Sequence, residues 1–257
     1  PARSREEDQL LTRLEVDGFK NLREVTVEFG PFTCIAGPNG IGKSNLFDAI
    51  EFLSLLATHP IMDASQLVRR SEDGRTADPR DLFWTDGTNR SSTMRLAAEI
   101  IVPRKVQDAF GRPAQASITF LRYELEFGYV ARSASAMGGH LVLRHESLTH
   151  INIGEAHKHM RFPHRADRFR RGVVAGRRSG GAFISTDREG GVLVTRIRGD
   201  GGSRGPGRPA PTEAAPMTIV GTTTQASDPT ILAAKRELRV GGCLLLSRQR
   251  CGVQTHF

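Results

Sequence analysis

Gly37-Pro38-Asn39-Gly40-Ile41-Gly42-Lys43-Ser44 is the stretch that decides the fold of this 257-residue chain. Gly40 and Gly42 let the backbone bend so that successive N–H groups point inward at one concave loop. Lys43 and Ser44 follow at once, placing a point charge and a hydroxyl at the mouth of that loop. Inward N–H groups, a lysine and a hydroxyl together suit the oxygens of a phosphate chain.

The flanks agree with that reading. Phe32 to Ala36 is apolar enough to be a strand buried on both faces, with Cys34 as a small core residue. After the loop, Leu46, Ile50, Leu53 and Ala57 recur at helical spacing, so the helix would add the positive end of its dipole. Strand, glycine loop and helix is the order that a phosphate loop of the Walker A kind requires. Lys43 is then expected to reach the β- and γ-phosphates of a nucleoside triphosphate, and Ser44 to ligate Mg²⁺. The candidate binding set is Gly37, Pro38, Asn39, Gly40, Ile41, Gly42, Lys43, Ser44 and Asn45, with Lys43 as the catalytic group and Ser44 as the metal ligand. ATP is expected rather than GTP, because no Asn-Lys-x-Asp element for reading guanine occurs.

Working outward, Leu14 and Val16 alternate with Glu15 and Asp17 as a half-buried strand requires, and Glu24 to Phe29 alternates again. Gly30-Pro31 turns the chain between that second strand and the loop. Further strands are expected over Met94 to Val102, Ser117 to Val130 and His140 to Ile153. The connection from Gln66 to Asn89 is rich in Arg, Asp and Gly and reads as a loop with one short helical turn at Asp78 to Trp84.

From Ala156 to Arg208 the character changes, with 13 Lys or Arg against four Asp or Glu, a charge of +9 where the whole chain carries +8. Eleven glycines between Gly172 and Gly207 argue for mobile surface, relieved by one strand over Gly191 to Ile197. Ser227-Asp228-Pro229 offers a helix start, continued by Ile231, Leu232, Lys235 and Leu238. The organisation expected is a tail over 1–10, a phosphate-loop core with a β-rich extension over 11–155, a basic flexible insertion over 156–216, and a C-terminal helix and tail over 217–257.

Two stretches carry a family resemblance. Leu14-Glu15-Val16-Asp17-Gly18-Phe19-Lys20-Asn21-Leu22, followed by Gly37 to Leu46, resembles the opening of the RecF/SMC/OLD-like AAA family ATPases, which are ABC-type ATPases. The resemblance is specific over residues 11–57 and weaker at Asp200-Gly201-Gly202, Gly207-Arg208-Pro209 and the helix from Ile231 to Leu238. It implies an α/β P-loop NTPase of ABC-ATPase head type, with a mixed sheet and a strand- and loop-rich insertion. It also implies ATP and Mg²⁺ as cofactors, ATP-gated homodimerisation, ATP hydrolysis, and work on DNA in repair or phage defence. Lys20 becomes a candidate for the nucleotide rim, beside the plainer reading of a solvated turn lysine.

The chain departs from the family at the second half of the catalytic centre. Ala182 to Glu189 ends in acidic residues after too short an apolar run, and reads as a loop or edge strand rather than the metal-supporting Walker B strand. Ser179-Gly180-Gly181 reads as a flexible turn rather than a signature motif. A truncated or out-of-frame ending after Arg239 is the expectation that follows, with triphosphate binding kept and turnover lost. A nucleotide-binding module or a protein–protein adaptor without turnover is the alternative.

Six of the eight histidines lie between His140 and His164, including His157-x-His159, but neighbouring Lys158 and Arg161 would repel a dication. Arg165, Arg168, Arg170, Arg171, Arg177 and Arg178, interspersed with Phe162 and Phe169, are candidates for DNA phosphate contact. A sequence pI near 10.1 suits an anionic partner of that sort. Three cysteines without paired spacing indicate neither a disulfide framework nor a cysteine zinc site. No apolar run approaches a membrane span, so a cytoplasmic protein is expected.

Overall fold

The computed structural model describes residues 10–30, 33–38, 40–68, 78–131, 139–162, 164, 170–201, 205 and 207–249. Its centre is a sheet of eight strands. In chain order these are β1 (Leu10–Asp17), β2 (Val25–Glu28), β3 (Thr93–Ile101), β6 (Phe120–Ala131), β7 (Gly139–His150), β8 (Ile184–Glu189), β9 (Val192–Ile197) and β10 (Arg208–Pro211). Their spatial order is β10-β9-β8-β7-β6-β3-β1-β2, and every described pairing is antiparallel. The short strands β4 (Lys105–Gln107) and β5 (Pro113–Gln115) form a separate hairpin.

Register turns the alternation of the sequence into two unlike faces. Leu14, Ala98, Tyr123 and Leu148 stand in one row across four strands, and Val16, Leu96 and Leu125 in the next. This apolar face is covered by α1 (Lys43–Leu56), whose Leu46, Ala49, Ile50, Phe52, Leu53 and Leu56 are buried. Phe52 sits at its middle, with its ring centroid 6.1 Å from Phe19 and 5.7 Å from Phe127. Burial of one such ring contributes about 2 to 3 kcal/mol, so α1 is held by the sheet more than by its own propensity. The opposite face is polar, with Arg13, Glu99, Arg122 and Thr149 in one row and Asp17, Arg95, Glu126 and His145 in another. Arg122 bridges Glu15 at 2.6 Å, Glu124 at 2.7 Å and buried Glu99 at 3.2 Å.

The remaining helices close the molecule. α2 (Ile61–Leu67) follows α1, and a 3-10 turn over Pro79–Leu82 buries Leu82 where one helical turn was expected. α3 (Ala156–His159) and the single turn α4 (Arg171–Val173) lie with a second small cluster of Ile101, Phe120, Ile151, Met160 and Val174. α5 (Ile219–Thr222) is tied to β7, where the buried Glu146 carboxylate accepts from the Ile219 N–H at 2.8 Å and the Val220 N–H at 3.1 Å. α6 (Pro229–Gln249) packs against α1, with its described side chains ending at Arg239. Its backbone stays helical past Arg239, where the sequence lost any readable pattern. Among the described residues, no helix is long and apolar enough to cross a membrane.

The structure departs from the sequence pattern in two places. Thr33 to Ala36 is not a strand, and Cys34 is exposed rather than a core residue. Phe32, the first residue of that expected strand, lies outside the described residues. β2 is the last strand of the sheet on this side, so the segment finds no ladder partner among the described residues. Instead the Thr33 hydroxyl accepts from the Gly30 N–H at 2.9 Å, a local turn that competes with strand geometry. The second correction concerns 184–211, where β8 to β10 stand in place of a loop-rich surface. β8 is not an edge strand, because β9 and β10 continue the sheet beyond it.

Candidate functional site

The loop from Gly37 to Ser44 is set by the two elements that flank it and by one that approaches from the side. Gly40 has φ +87° and Gly42 φ +103°, conformations that L side chains rarely adopt. Gly42 is the N-cap of α1, and no side chain caps the helix there, so its first N–H groups face the loop. The first turn carries no acidic residue, which leaves the positive dipole end uncompensated. A Cβ on Gly42 would also meet the Asn21 side chain at 2.8 Å.

Lys43 folds back over this loop, and its ammonium donates to the Gly37 and Pro38 carbonyls, each at 2.6 Å. Two neutral acceptors hold a full positive charge in place. Phosphate oxygens arriving there would exchange them for charged acceptors, whose hydrogen bonds are roughly twice as strong. Ser44 is exposed on the first turn of α1, and its hydroxyl has no hydrogen bond among the described residues. Ile41 is exposed at the loop tip, while Asn39 lies outside the described residues. The backbone cradle, the lysine and the hydroxyl fit a Mg²⁺-bound polyphosphate, with Ser44 as the side chain that would hold the metal.

The Phe19-Lys20-Asn21 element does work that the sequence alone did not assign. Asn45 of α1 donates its amide to Asn21 Oδ1 at 2.7 Å. Lys20, in a left-handed conformation at φ +49°, pairs with Asp48 of α1 at 2.6 Å. Lys20 is therefore neither a solvated turn lysine nor a free rim group. It fastens the end of β1 to the second turn of α1. Burial, and then the Asp48 charge, raise the Glu51 carboxyl above its ordinary range on the same helix.

Other sequence candidates resolve differently. Arg178 is buried, donates to the Gly181 carbonyl at 3.0 Å and the Gly199 carbonyl at 3.2 Å, and lies 4.0 Å over the Phe183 ring. It is an internal anchor and not a phosphate contact. Arg177 is exposed and Arg170 half-buried, while Arg165, Arg168, Phe169 and the Arg171 side chain lie outside the described residues. In the acidic end of Ala182 to Glu189, Glu189 is engaged by Arg196 at 2.7 Å, and β8 is separated from β2 by four strands of the sheet. It does not stand beside the loop. His157 and His159 sit on α3, where His159 bonds Glu99 at 2.9 Å, and no metal-ligating group forms among the described residues.

Asp200 was singled out only by resemblance, and it proves to be a hub. Its Oδ1 accepts from the Ser117 N–H at 3.2 Å, the Ser117 hydroxyl at 2.7 Å and the Thr230 hydroxyl. Its Oδ2 accepts from the Thr230 N–H at 3.1 Å, so this distant carboxylate caps α6 in place of Asp228. Asp228 instead pairs with Arg208 at 2.8 Å.

Residues 10–73 match the family described as RecF/RecN/SMC N terminal domain. The DNA replication and repair protein RecF of Parabacteroides distasonis is 38% identical over 65 residues, covering 25% of this chain and 18% of that protein. RecF of Acaryochloris marina is 35% identical over 100 residues, 35% of this chain and 27% of that protein. Structural maintenance of chromosomes protein 1 of Schizosaccharomyces pombe is 56% identical over 83 residues, 31% of this chain and 6% of that protein. The chain thus spans about a quarter or less of the length of these relatives. A solved structure of the recombination mediator protein RecF with ATP aligns at 21% identity and TM-score 0.30, over 55% of this chain and 28% of that one. Residues 10–73 of this chain are thus similar to the N-terminal domain of RecF and SMC proteins.

Proposed function

We propose that this RecF/SMC-like lobe binds ATP with Mg²⁺ on the loop from Gly37 to Ser44 and serves in a DNA-associated process such as repair. The observation that carries the reading is the Lys43 ammonium poised on the Gly37 and Pro38 carbonyls above the uncapped start of α1. In this reading the loop N–H groups wrap the phosphates, Lys43 moves from the carbonyls to the β- and γ-phosphates, and the Ser44 hydroxyl ligates the metal. Asn45 holds Asn21 against the loop and keeps its shape. Bound Mg²⁺ would neutralise charge on the phosphate oxygens. The names of the RecF relatives and the chain's net positive charge support DNA as the partner; a homodimer is the working assembly that the family resemblance implies. A cytoplasmic setting goes with that role.

Hydrolysis needs a carboxylate to support the metal and position water. The one acidic strand end that the sequence offered for this is committed to Arg196 on the far side of β7. The reading is therefore nucleotide binding without turnover by this chain alone. Titration with a fluorescent ATP analogue tests it. Lys43→Ala should weaken binding by about a hundredfold or more, because a charge-assisted contact is lost. Undiminished binding by that variant would overturn the assignment. Phosphate release measured with and without duplex DNA separates binding from turnover.

A further inference from the structure

On the polar face of the sheet, away from the loop and α1, Arg95, Arg144 and Arg188 converge on a cleft of about 520 Å³ that also meets His145, Glu126 and Glu213. We propose that this cleft binds a small phosphate ester, with the arginines on the phosphate and the glutamates on its hydroxyl groups.

Three observations separate the cleft from ordinary basic surface. First, Arg144 is the extra residue of a β-bulge. Glu126 pairs with His145 and Phe127 with Leu143, so Arg144 is skipped by the ladder and is re-aimed onto the polar face. Second, the neighbouring strand makes room for it. A Cβ on Gly128 would lie 2.1 Å from Arg144 Nε, so only glycine lets the guanidinium lie where it does. Third, Arg144 has no ion pair among the described residues, whereas Arg122 and Arg196 on the same sheet are held by carboxylates at 2.6 to 2.7 Å. Arg95 is only loosely engaged, 3.7 Å from Glu126, and the one described bond of Arg188 is to the Gly191 carbonyl.

Three guanidiniums against two carboxylates leave the cleft net positive, which selects an anion. Guanidinium forks match phosphate oxygens bidentately, and carboxylates accept only from donors such as hydroxyls. The volume lies within the range of small-molecule sites and exceeds what an isolated inorganic ion fills. A phosphorylated polyol combines these properties.

The test is calorimetric titration of ribose 5-phosphate into the full chain carrying Lys43→Ala, which removes the phosphate loop as a competing site. Binding should persist in that background, and Arg144→Gln added to it should weaken binding by at least about tenfold, since a hydrogen bond to a charged group is lost. Gly128→Ala should weaken it similarly while keeping every charge, because it displaces the guanidinium. Melting curves of the variants must overlay that of the parent. No binding in the Lys43→Ala background, or binding indifferent to Arg144→Gln, overturns the proposal. So does a short DNA duplex that binds through Arg144 where ribose 5-phosphate does not, since the phosphate would then belong to a nucleic acid backbone.

Discussion

Residues 10–57 and residues 170–201 are both built around glycines, yet they fold by opposite means. In the first, each element is specified within its own few residues. β1 and β2 alternate, α1 repeats its apolar residues at helical spacing, and Gly40 and Gly42 take the left-handed conformations that the loop between them needs. In the second, the local signals are weak and order comes from single long-range anchors. Arg178 reaches the carbonyls of Gly181 and Gly199, Phe183 is fully buried, and Asp200 ties Ser117 to the start of α6. A glycine count measures local freedom, and it does not register a buried guanidinium that spends that freedom elsewhere.

Mutations in the two regions should differ in their cost. The largest effect should come from the locally specified lobe, where Phe52→Ala empties a site between Phe19 and Phe127 and costs about 3 to 5 kcal/mol in chemical denaturation. A loss below about 1 kcal/mol would mean that α1 is not held by the sheet in the way its rings indicate. In the anchored region, Arg178→Ala should cost about 2 kcal/mol while exposed Arg177→Ala stays within about 0.5 kcal/mol. Equal effects at the two neighbours would return both to ordinary surface and remove the contrast.

A smaller and pH-dependent effect sharpens the role of α6, which joins the two regions. Glu237 is buried beside Leu11, Ile50 and Ile100, its Oε2 has no hydrogen-bond partner among the described residues, and burial pushes its carboxyl up to about 8. Its folded value therefore lies above its ordinary value of 4.5. The stability of the neutral form is fully present below that ordinary value. It is lost as pH rises toward 8, because the unfolded chain ionises first. Glu237→Gln should remove this loss, raising stability at pH 8 by on the order of 2 kcal/mol and changing it little at pH 4. Thermal melts of both proteins at the two pH values check it, and an equal effect at both would refute the buried, unpartnered carboxyl.

The sequence was least informative where one residue acts for a distant one. Asp228 had the type and position of a helix cap, but its carboxylate pairs with Arg208, and Asp200 caps α6 from 30 residues away. Lys20 read as either a turn lysine or a rim group because its partner Asp48 is a helix residue 28 positions later. Thr33 to Ala36 had a strand's composition without a strand's neighbour, and composition cannot supply the partner that a ladder requires. Arg144 gave no signal at all, since a bulge is visible only once two strands are in register.

What the sequence by itself determined is the glycine loop with the helix that follows it, the two alternating strands before it and the long strands of the sheet. Periodicity and left-handed glycines are properties of neighbouring residues, and neighbouring residues are what a sequence displays. Only the tertiary structure decided which lysine and which asparagine brace the loop, which arginine is buried, and which three gather around a cleft. Those outcomes depend on strand order and register, which bring residues from β3, β7 and β8 to within one ligand's length of each other.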